Sequence, residues 1–179
     1  VAGEFNQPTP SPSGNITKFY YRVNELYPFV NVNYSFLYIR MGQANITTLP
    51  TGAFYTGTMD TVFKGTNYLI NAAGGTWVTF NLTTPFAFDN TQGLIIEIGN
   101  FGFSGANFFP ACNTNLTGNR RSYSVGGSPF VYSGQGVQMM ACGVDVGPIN
   151  CNFTWAAQSS GVPTITLQAV WAPSSTVCW

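Results

Sequence analysis

The sequence WVTFNL at residues 77–82 decides the fold class, because apolar and polar residues alternate along it. Val78, Phe80 and Leu82 are each separated by one polar residue, and a period of two is typical of a β-strand with one buried face. We therefore expect Phe80 to point into a core and Thr79 to point into solvent.

Comparable patterns occur on both sides of this stretch. They predict further strands at residues 16–23, 32–41, 60–64, 94–98, 102–107, 121–125, 137–141 and 164–171. Gly65 is expected to end the strand at 60–64, and Pro85 is expected at a corner between strands. Short strands punctuated by turn residues indicate an all-β protein, for which we expect a mostly antiparallel, jelly-roll-like β-sandwich.

The first residues differ from the rest of the chain in composition. Pro8, Pro10 and Pro12 alternate with Ser and Thr, which favours extended backbone. We expect an extended Pro-rich arm at residues 1–14 and a single β-sandwich domain at residues 15–179. The arm has neither the basic region nor the apolar run of a signal peptide, so we expect the chain to begin after processing.

The composition argues against several classes of function. Charged residues make up 7% of the 179 residues and the formal net charge is zero, which leaves few cations to neutralise the phosphates of a nucleic acid. No apolar run approaches the roughly 20 residues of a membrane span. The chain contains no histidine, which excludes Ser-His-Asp and Cys-His catalysis and every His-ligated metal site. We predict no cofactor and no bound metal.

The cysteines indicate the compartment. Cys112, Cys142, Cys151 and Cys178 are even in number and contain no Cys-x-x-Cys spacing, so two disulfides are a better interpretation than a zinc site. Disulfides form in oxidising compartments, which predicts a secreted or cell-surface protein. Three pairings are open to four cysteines. We prefer Cys112–Cys142 with Cys151–Cys178, which would staple the end of the chain.

The acidic residues do not indicate an enzyme. Glycoside hydrolysis requires two carboxyl groups at a defined separation, but Asp89 is expected in a turn and Glu97 is expected to face outward, paired with Arg22 or Arg40. A cysteine nucleophile would lack a histidine base. We therefore predict a non-enzymatic protein.

Residues 16–100 contain a series of short motifs in a fixed order, namely Glu25-Leu26, Leu37–Gly42, Thr61–Gly65, Trp77–Leu82, Pro85–Asp89 and Leu94–Glu97. In these motifs the segment resembles a known family, the adhesin-like β-sandwich modules of secreted and cell-surface proteins of Bacteroidetes-type bacteria. Gln43 stands where the family often has His. The resemblance implies a binding module that is typically exported by the type IX secretion system, and it carries over no catalytic residue.

Aromatic residues predict where such a module would bind a glycan. A sugar ring has an apolar face and a polar rim, which exposed aromatic rings and neighbouring amides recognise. The first candidate site is Trp155 with Asn152 and Gln158, and the second is the segment 101–109 around Asn107. These rings could instead pack in the core, and the sequence leaves both interpretations open.

Three further residues have two interpretations each. Thr61, in Asp60-Thr61-Val62, resembles the Asp-Thr-aliphatic signal for O-glycosylation in Bacteroidetes. Asp145 could bind calcium with nearby carbonyl groups, but a single carboxylate favours no calcium site. Trp77 either caps the edge of the sandwich or contacts a ligand.

Two functions remain as hypotheses. The first is a secreted surface adhesin or binding module for a surface glycan or protein. The second is a structural subunit of an extracellular bacterial assembly, in which the arm at residues 1–14 pairs with the sheet edge of a neighbouring copy. A monomer in size-exclusion chromatography would favour the first hypothesis and large polymers the second.

Overall fold

The computed structural model describes residues 13–106, 112–113, 117–125 and 130–147 of the chain. The first five strands are β1 (Gly14–Arg22), β2 (Phe29–Ala44), β3 (Asp60–Ala72), β4 (Trp77–Phe88) and β5 (Gly93–Ala106). The last five are β6 (Cys112–Asn113), β7 (Arg121–Tyr123), β8 (Gly134–Gly136), β9 (Met139–Met140) and β10 (Cys142–Gly147). These residues contain no helix, and every strand pair is antiparallel. The predicted all-β class is confirmed.

Two three-stranded sheets form the body of the described structure. The first sheet has the strand order β10–β1–β4, and the second has the order β3–β2–β5. Two small ladders, β6–β9 and β7–β8, complete the pairing. Because β1 and β2 are the central strands, the early part of the chain organises both sheets.

A single hydrophobic core joins the two sheets, with Phe80 at its centre. The Phe80 side chain is fully buried, and its ring centroid lies 6.0 Å from Phe19 on β1. Two rings of the second sheet close over it, Phe63 at 5.3 Å and Tyr68 at 5.8 Å. The neighbouring Thr79 is exposed, so the alternation predicted for β4 is confirmed.

β2 carries useful side chains on both of its faces. Leu37, Ile39 and Met41 are buried in the core, whereas the intervening Tyr38 and Arg40 are half-buried on the opposite face. Successive residues of a strand point to opposite sides of a sheet. The outer face of the second sheet therefore carries alternate residues of β2, among them Tyr38 and Arg40.

Several expected strand boundaries are wrong. The strands expected at residues 94–98 and 102–107 are one continuous strand, β5. Gly65 does not end its strand but lies inside β3, where a Cβ atom would come within 2.8 Å of the Tyr68 ring. Pro85 lies inside β4 rather than at a corner. The register shifts there, because Ile16 pairs with Phe86 whereas Lys18 pairs with Asn81. One residue of β1, Thr17, is therefore opposite residues 82–85 of β4. Pro85 is accommodated in this irregular stretch, where a missing N–H breaks no ladder hydrogen bond.

The turn between β4 and β5 forms where Asp89 was expected to lie in one. The backbone N–H of Gln92 donates to the Asp89 carbonyl at 3.1 Å, and the Thr91 N–H and hydroxyl donate to Asp89 Oδ1 at 2.9 and 2.8 Å. These bonds to the carboxylate lower the pKa of Asp89. An aspartate that bonds the backbone two residues ahead stabilises a tight turn.

Some predictions fall outside the described residues. They are the arm at residues 1–14, except for its last two residues, and the strand at residues 164–171. In the described ranges, no helix is long and apolar enough to cross a membrane.

Buried tyrosines are expected to make this fold less stable at alkaline pH. Burial raises the pKa of Tyr34 to about 12, and burial also raises the pKa of Tyr21. A tyrosine in an unfolded chain ionises near pH 10. The stabilising contribution is therefore complete below about pH 10 and is lost as the pH rises through the folded pKa. We expect the free energy of unfolding, measured by denaturant titration, to fall between about pH 10 and pH 12.

The control variant is Tyr34→Phe, which removes one of the ionising hydroxyls. Each tyrosine that stays protonated in the fold contributes a slope of about 1.4 kcal/mol per pH unit. The variant should therefore show a shallower decline than the native chain, whereas equal slopes would contradict the assignment to Tyr34.

Candidate ligand-binding cleft

Aromatic side chains cover the outer face of the second sheet. Phe36 and Tyr38 come from β2, Phe101 comes from β5, and Phe130 reaches them from the segment before β8. We call these four rings the aromatic cluster. The ring centroid of Phe101 lies 6.0 Å from Phe36, 6.5 Å from Tyr38 and 5.0 Å from Phe130. Tyr38 likewise contacts all three other rings, at 6.2 Å from Phe36 and 6.4 Å from Phe130, so Phe101 and Tyr38 together form the centre of this surface.

A glycine on the neighbouring strand positions Tyr38. Gly99 on β5 is the register partner of Tyr38 on β2. A Cβ atom at Gly99 would collide with the Tyr38 ring. The ring therefore packs directly on the Gly99 backbone, which is possible only because glycine has no side chain. Such a packed ring keeps one face toward the cleft with little loss of rotamer freedom on binding.

Three rings of the aromatic cluster, Tyr38, Phe101 and Phe130, line a cleft of about 750 Å³, and Phe36 packs beside them. Phe54 and Tyr55, from the segment between β2 and β3, form part of its wall, and Tyr123 of β7 forms another part. The size lies within the roughly 300–1,000 Å³ of known ligand sites, which are also mainly apolar and aromatic. The long β2–β3 connection and the β7–β8 ladder thus convert a sheet face into a concave site.

An ion pair supplies the polar groups of the cleft. Arg40 Nη1 lies 3.3 Å from Glu97 Oε1 and 3.4 Å from Oε2, and Arg40 Nη2 donates to the Met59 carbonyl at 3.4 Å. Both side chains remain more than a third exposed, at 37% and 38%, so a ligand can reach them. Of the two partners expected for Glu97, Arg40 is confirmed, because the two residues are opposite each other in the β2–β5 ladder.

Tyr38 extends this polar end. Burial, together with a hydrogen bond to the Glu97 carboxylate, raises the pKa of Tyr38 to about 12. The phenol therefore stays protonated at neutral pH. The cleft thus offers guanidinium and hydroxyl donors and carboxylate acceptors beside stacked rings.

A second cavity of about 310 Å³ adjoins the cleft. The two share the residues Leu49, Ile95, Ile96, Ile98, Ser122 and Tyr123. Its other lining side chains include the adjacent pair Arg120 and Arg121. Three of the shared residues are the isoleucines Ile95, Ile96 and Ile98 of β5.

The structure places the predicted site residues as follows. The candidates Trp155, Asn152 and Gln158 lie outside the described residues. In the second candidate segment, Phe101 and Phe103 line the cleft, whereas Asn107 lies outside the described residues. Sequence reasoning therefore identified one side of the site from its aromatic richness.

Two other expectations concern single side chains. Thr61 is exposed on β3, opposite Arg40 in the ladder. The carboxylate of Asp145 accepts a hydrogen bond from the Tyr20 hydroxyl at 2.6 Å and pairs with Lys18 Nζ at 3.2 Å. These donors lower the pKa of Asp145, with the Tyr20 bond contributing most. No cluster of potential metal ligands occurs among the described residues.

Two of the four cysteines, Cys112 and Cys142, belong to the described residues. Cys142 begins β10 and is half-buried. The backbone of Cys112 pairs with that of Met140 in the β6–β9 ladder. Met140 lies two residues before Cys142 in the chain, and the Cys112–Cys142 bridge stays a prediction. Cys151 and Cys178 lie outside the described residues.

Sequence reasoning missed most of the cleft. The β2 residues Phe36 and Tyr38 were predicted only as part of the strand at residues 32–41, and Arg40 only as a partner for Glu97. The signal that could have identified them is the pairing of β2 with β5, which places Tyr38 opposite Gly99 and Arg40 opposite Glu97. That pairing depends on which strands are neighbours, and this information is not local.

Neither protein-family models nor curated proteins nor solved structures give a significant match to this chain.

Proposed function

We propose that this chain is a secreted, non-enzymatic binding module that holds a surface glycan in the aromatic cleft. The observation that carries the proposal is the aromatic cluster beside the Arg40–Glu97 pair, in a cleft of about 750 Å³. A pyranose ring stacks its apolar face on an aromatic ring, while its hydroxyl groups exchange hydrogen bonds with charged side chains at the rim.

The carboxylates of the cleft support binding rather than hydrolysis. Glu97 is the only acidic side chain among the described residues that line it. Glycoside hydrolysis needs two carboxyl groups flanking the bond, and Glu97 is already engaged by Arg40. The function is therefore recognition, in which no bond of the glycan is broken.

The proposed architecture is a jelly-roll-like β-sandwich. Its support is the shared core, in which Phe80 of the first sheet packs against Phe63 of the second. Two antiparallel sheets with interdigitating side chains are the construction principle of sandwiches. The resemblance to adhesin-like modules of Bacteroidetes-type bacteria favours the same architecture and a cell-surface location. In this proposal the exposed Thr61 hydroxyl is an O-glycosylation site.

The proposal predicts that binding is only weakly sensitive to salt. Stacking and hydrogen bonding to neutral sugars are little screened, whereas contacts to phosphates or acidic polymers weaken steeply as salt rises. We expect binding on a glycan array to persist between about 0.05 and 0.5 M NaCl, over which the Debye length falls severalfold.

The matched variant for this experiment is Glu97→Gln, which removes the only described carboxylate of the cleft. Turnover of a glycan by the native chain that this variant abolishes would contradict the non-enzymatic proposal. Binding that disappears at high salt would contradict the neutral-glycan proposal. Large polymers in size-exclusion chromatography, with no bound glycan on the array, would favour the structural subunit instead.

A further inference from the structure

The second cavity differs in chemistry from the aromatic cleft. Its volume is about 310 Å³, and the aliphatic side chains of its lining include Ile46, Leu49, Ile96, Met139 and Met140. Thr47, Thr48, Asn119 and Ser122 also line part of the cavity. The aliphatic side chains, however, offer no partners for the hydroxyl groups that surround a sugar ring, and burying such hydroxyls unpaired would be costly. The cavity is suited to a flexible hydrocarbon chain.

Two adjacent arginines, Arg120 and Arg121, also line this cavity. Arg120 Nε donates to the Thr117 carbonyl at 2.9 Å, which orients the guanidinium. The Arg121 guanidinium lies 5.3 Å from the centre of the Tyr123 ring. It also packs beside Gly136, which is the residue opposite Arg121 in the β7–β8 ladder. Both side chains are thus held in position before any ligand arrives.

The arginines carry unused hydrogen-bonding capacity. Arg120 Nη1 and Arg121 Nε are buried from solvent with no hydrogen-bond partner. The three ion pairs of the described residues use Lys18, Arg22 and Arg40, and no described carboxylate lines this cavity. A buried charged donor without a partner is destabilising unless an acceptor is supplied.

We propose that this cavity binds an amphipathic anion, namely a carboxylate with an unbranched aliphatic chain. The carboxylate accepts hydrogen bonds from Arg120 Nη1 and Arg121 Nε, and guanidinium groups match carboxylate geometry well. The chain then lies along Leu49, Ile96 and Met140. A medium-chain fatty acid has this combination of head and tail.

This site does not depend on glycan binding. The aromatic cleft recognises its ligand through the aromatic cluster and the Arg40–Glu97 pair, none of which this proposal uses. The two sites share wall residues, Ser122 and Tyr123 among them, but Arg120 and Arg121 line only the second cavity, and Arg40 and Glu97 line only the cleft. Failure of one proposal therefore leaves the other standing.

The test is calorimetric titration of the full chain with decanoate, with acetate and 1-decanol as probes of the head and tail alone. We expect saturable binding of decanoate and at least about tenfold weaker binding of either other probe. The double variant Arg120→Gln/Arg121→Gln should weaken decanoate binding by about tenfold or more. Its near-UV circular dichroism reports whether the variant is folded.

The matched control is Lys64→Gln, which removes one positive charge from an exposed position on β3 and should leave the affinity unchanged. Decanol that binds the native chain as tightly as decanoate would overturn the role of the anion, whatever the variants do. Absence of decanoate binding to the native chain, or equal binding by the folded double variant, would overturn the site.

Discussion

Phe80→Ala is expected to lower the free energy of unfolding by about 3–5 kcal/mol, because it removes a fully buried ring. Phe80 contacts rings of both sheets, Phe19 on one side and Phe63 and Tyr68 on the other. Neither side can move into the vacated space without separating from its own sheet. Denaturant titration followed by circular dichroism measures the loss.

The matched control is Thr79→Ala, one residue away on the opposite face of β4. Thr79 is exposed, so its truncation should change the free energy of unfolding by no more than about 0.5 kcal/mol. If Phe80→Ala does not fold, Phe80→Leu should show a smaller, measurable loss. Equal effects at positions 79 and 80 would contradict the strand register.

Phe101→Ala is expected to weaken glycan binding by about thirtyfold, which corresponds to the roughly 2 kcal/mol of a binding hot spot. Phe101 contacts the other three rings of the aromatic cluster. Its removal therefore takes away one of the two central stacking surfaces and loosens the rings around it. Because Phe101 is only half-buried, the variant should lose less stability than Phe80→Ala. Titration with the best ligand from the array measures the affinity.

Trp77→Ala is the control for general loss of aromatic surface. Trp77 is 50% exposed and belongs to β4 of the first sheet, away from the residues that line the cleft. Its truncation should leave the affinity within about twofold of the native value, since it makes no ligand contact in this proposal. Loss of binding in Trp77→Ala but not in Phe101→Ala would move the contact site to the first sheet.

The proposed glycan site and the proposed fatty-acid site share lining residues. The isoleucines of β5 separate the aromatic cleft from the arginine-lined cavity. Side chains packed between two sites can couple them when an occupant of one site shifts the wall. Titrating decanoate with and without a bound glycan therefore measures whether the coupling between the sites is positive, negative or zero.

The alternation of residues 77–82 by itself determined the all-β class and the inward face of β4. Side chains two apart on a strand must share a face, whatever the strand pairs with. Turn residues such as Asp89 were predictable for a similar reason, because their hydrogen bonds reach only two or three residues along the chain.

Strand ends were less predictable, because glycine and proline act differently within a sheet. Gly65 was expected to end β3, but the Tyr68 ring packs against it and the strand continues. Pro85 was expected at a corner, but the shifted register opposite Thr17 accommodates it inside β4. Both outcomes depend on neighbours that a local pattern does not contain.

Only the tertiary structure decided where the aromatic cleft lies. Phe101 could be suspected from its aromatic segment, but Tyr38 becomes a site residue only because β2 is paired with β5 and Gly99 leaves room for its ring. Phe130 joins them from a segment distant in sequence. A cleft of this kind is made by strand order and by loops that fold over a sheet, and the physical reason is that its contacts are long-range, whereas periodicity and turn chemistry are local.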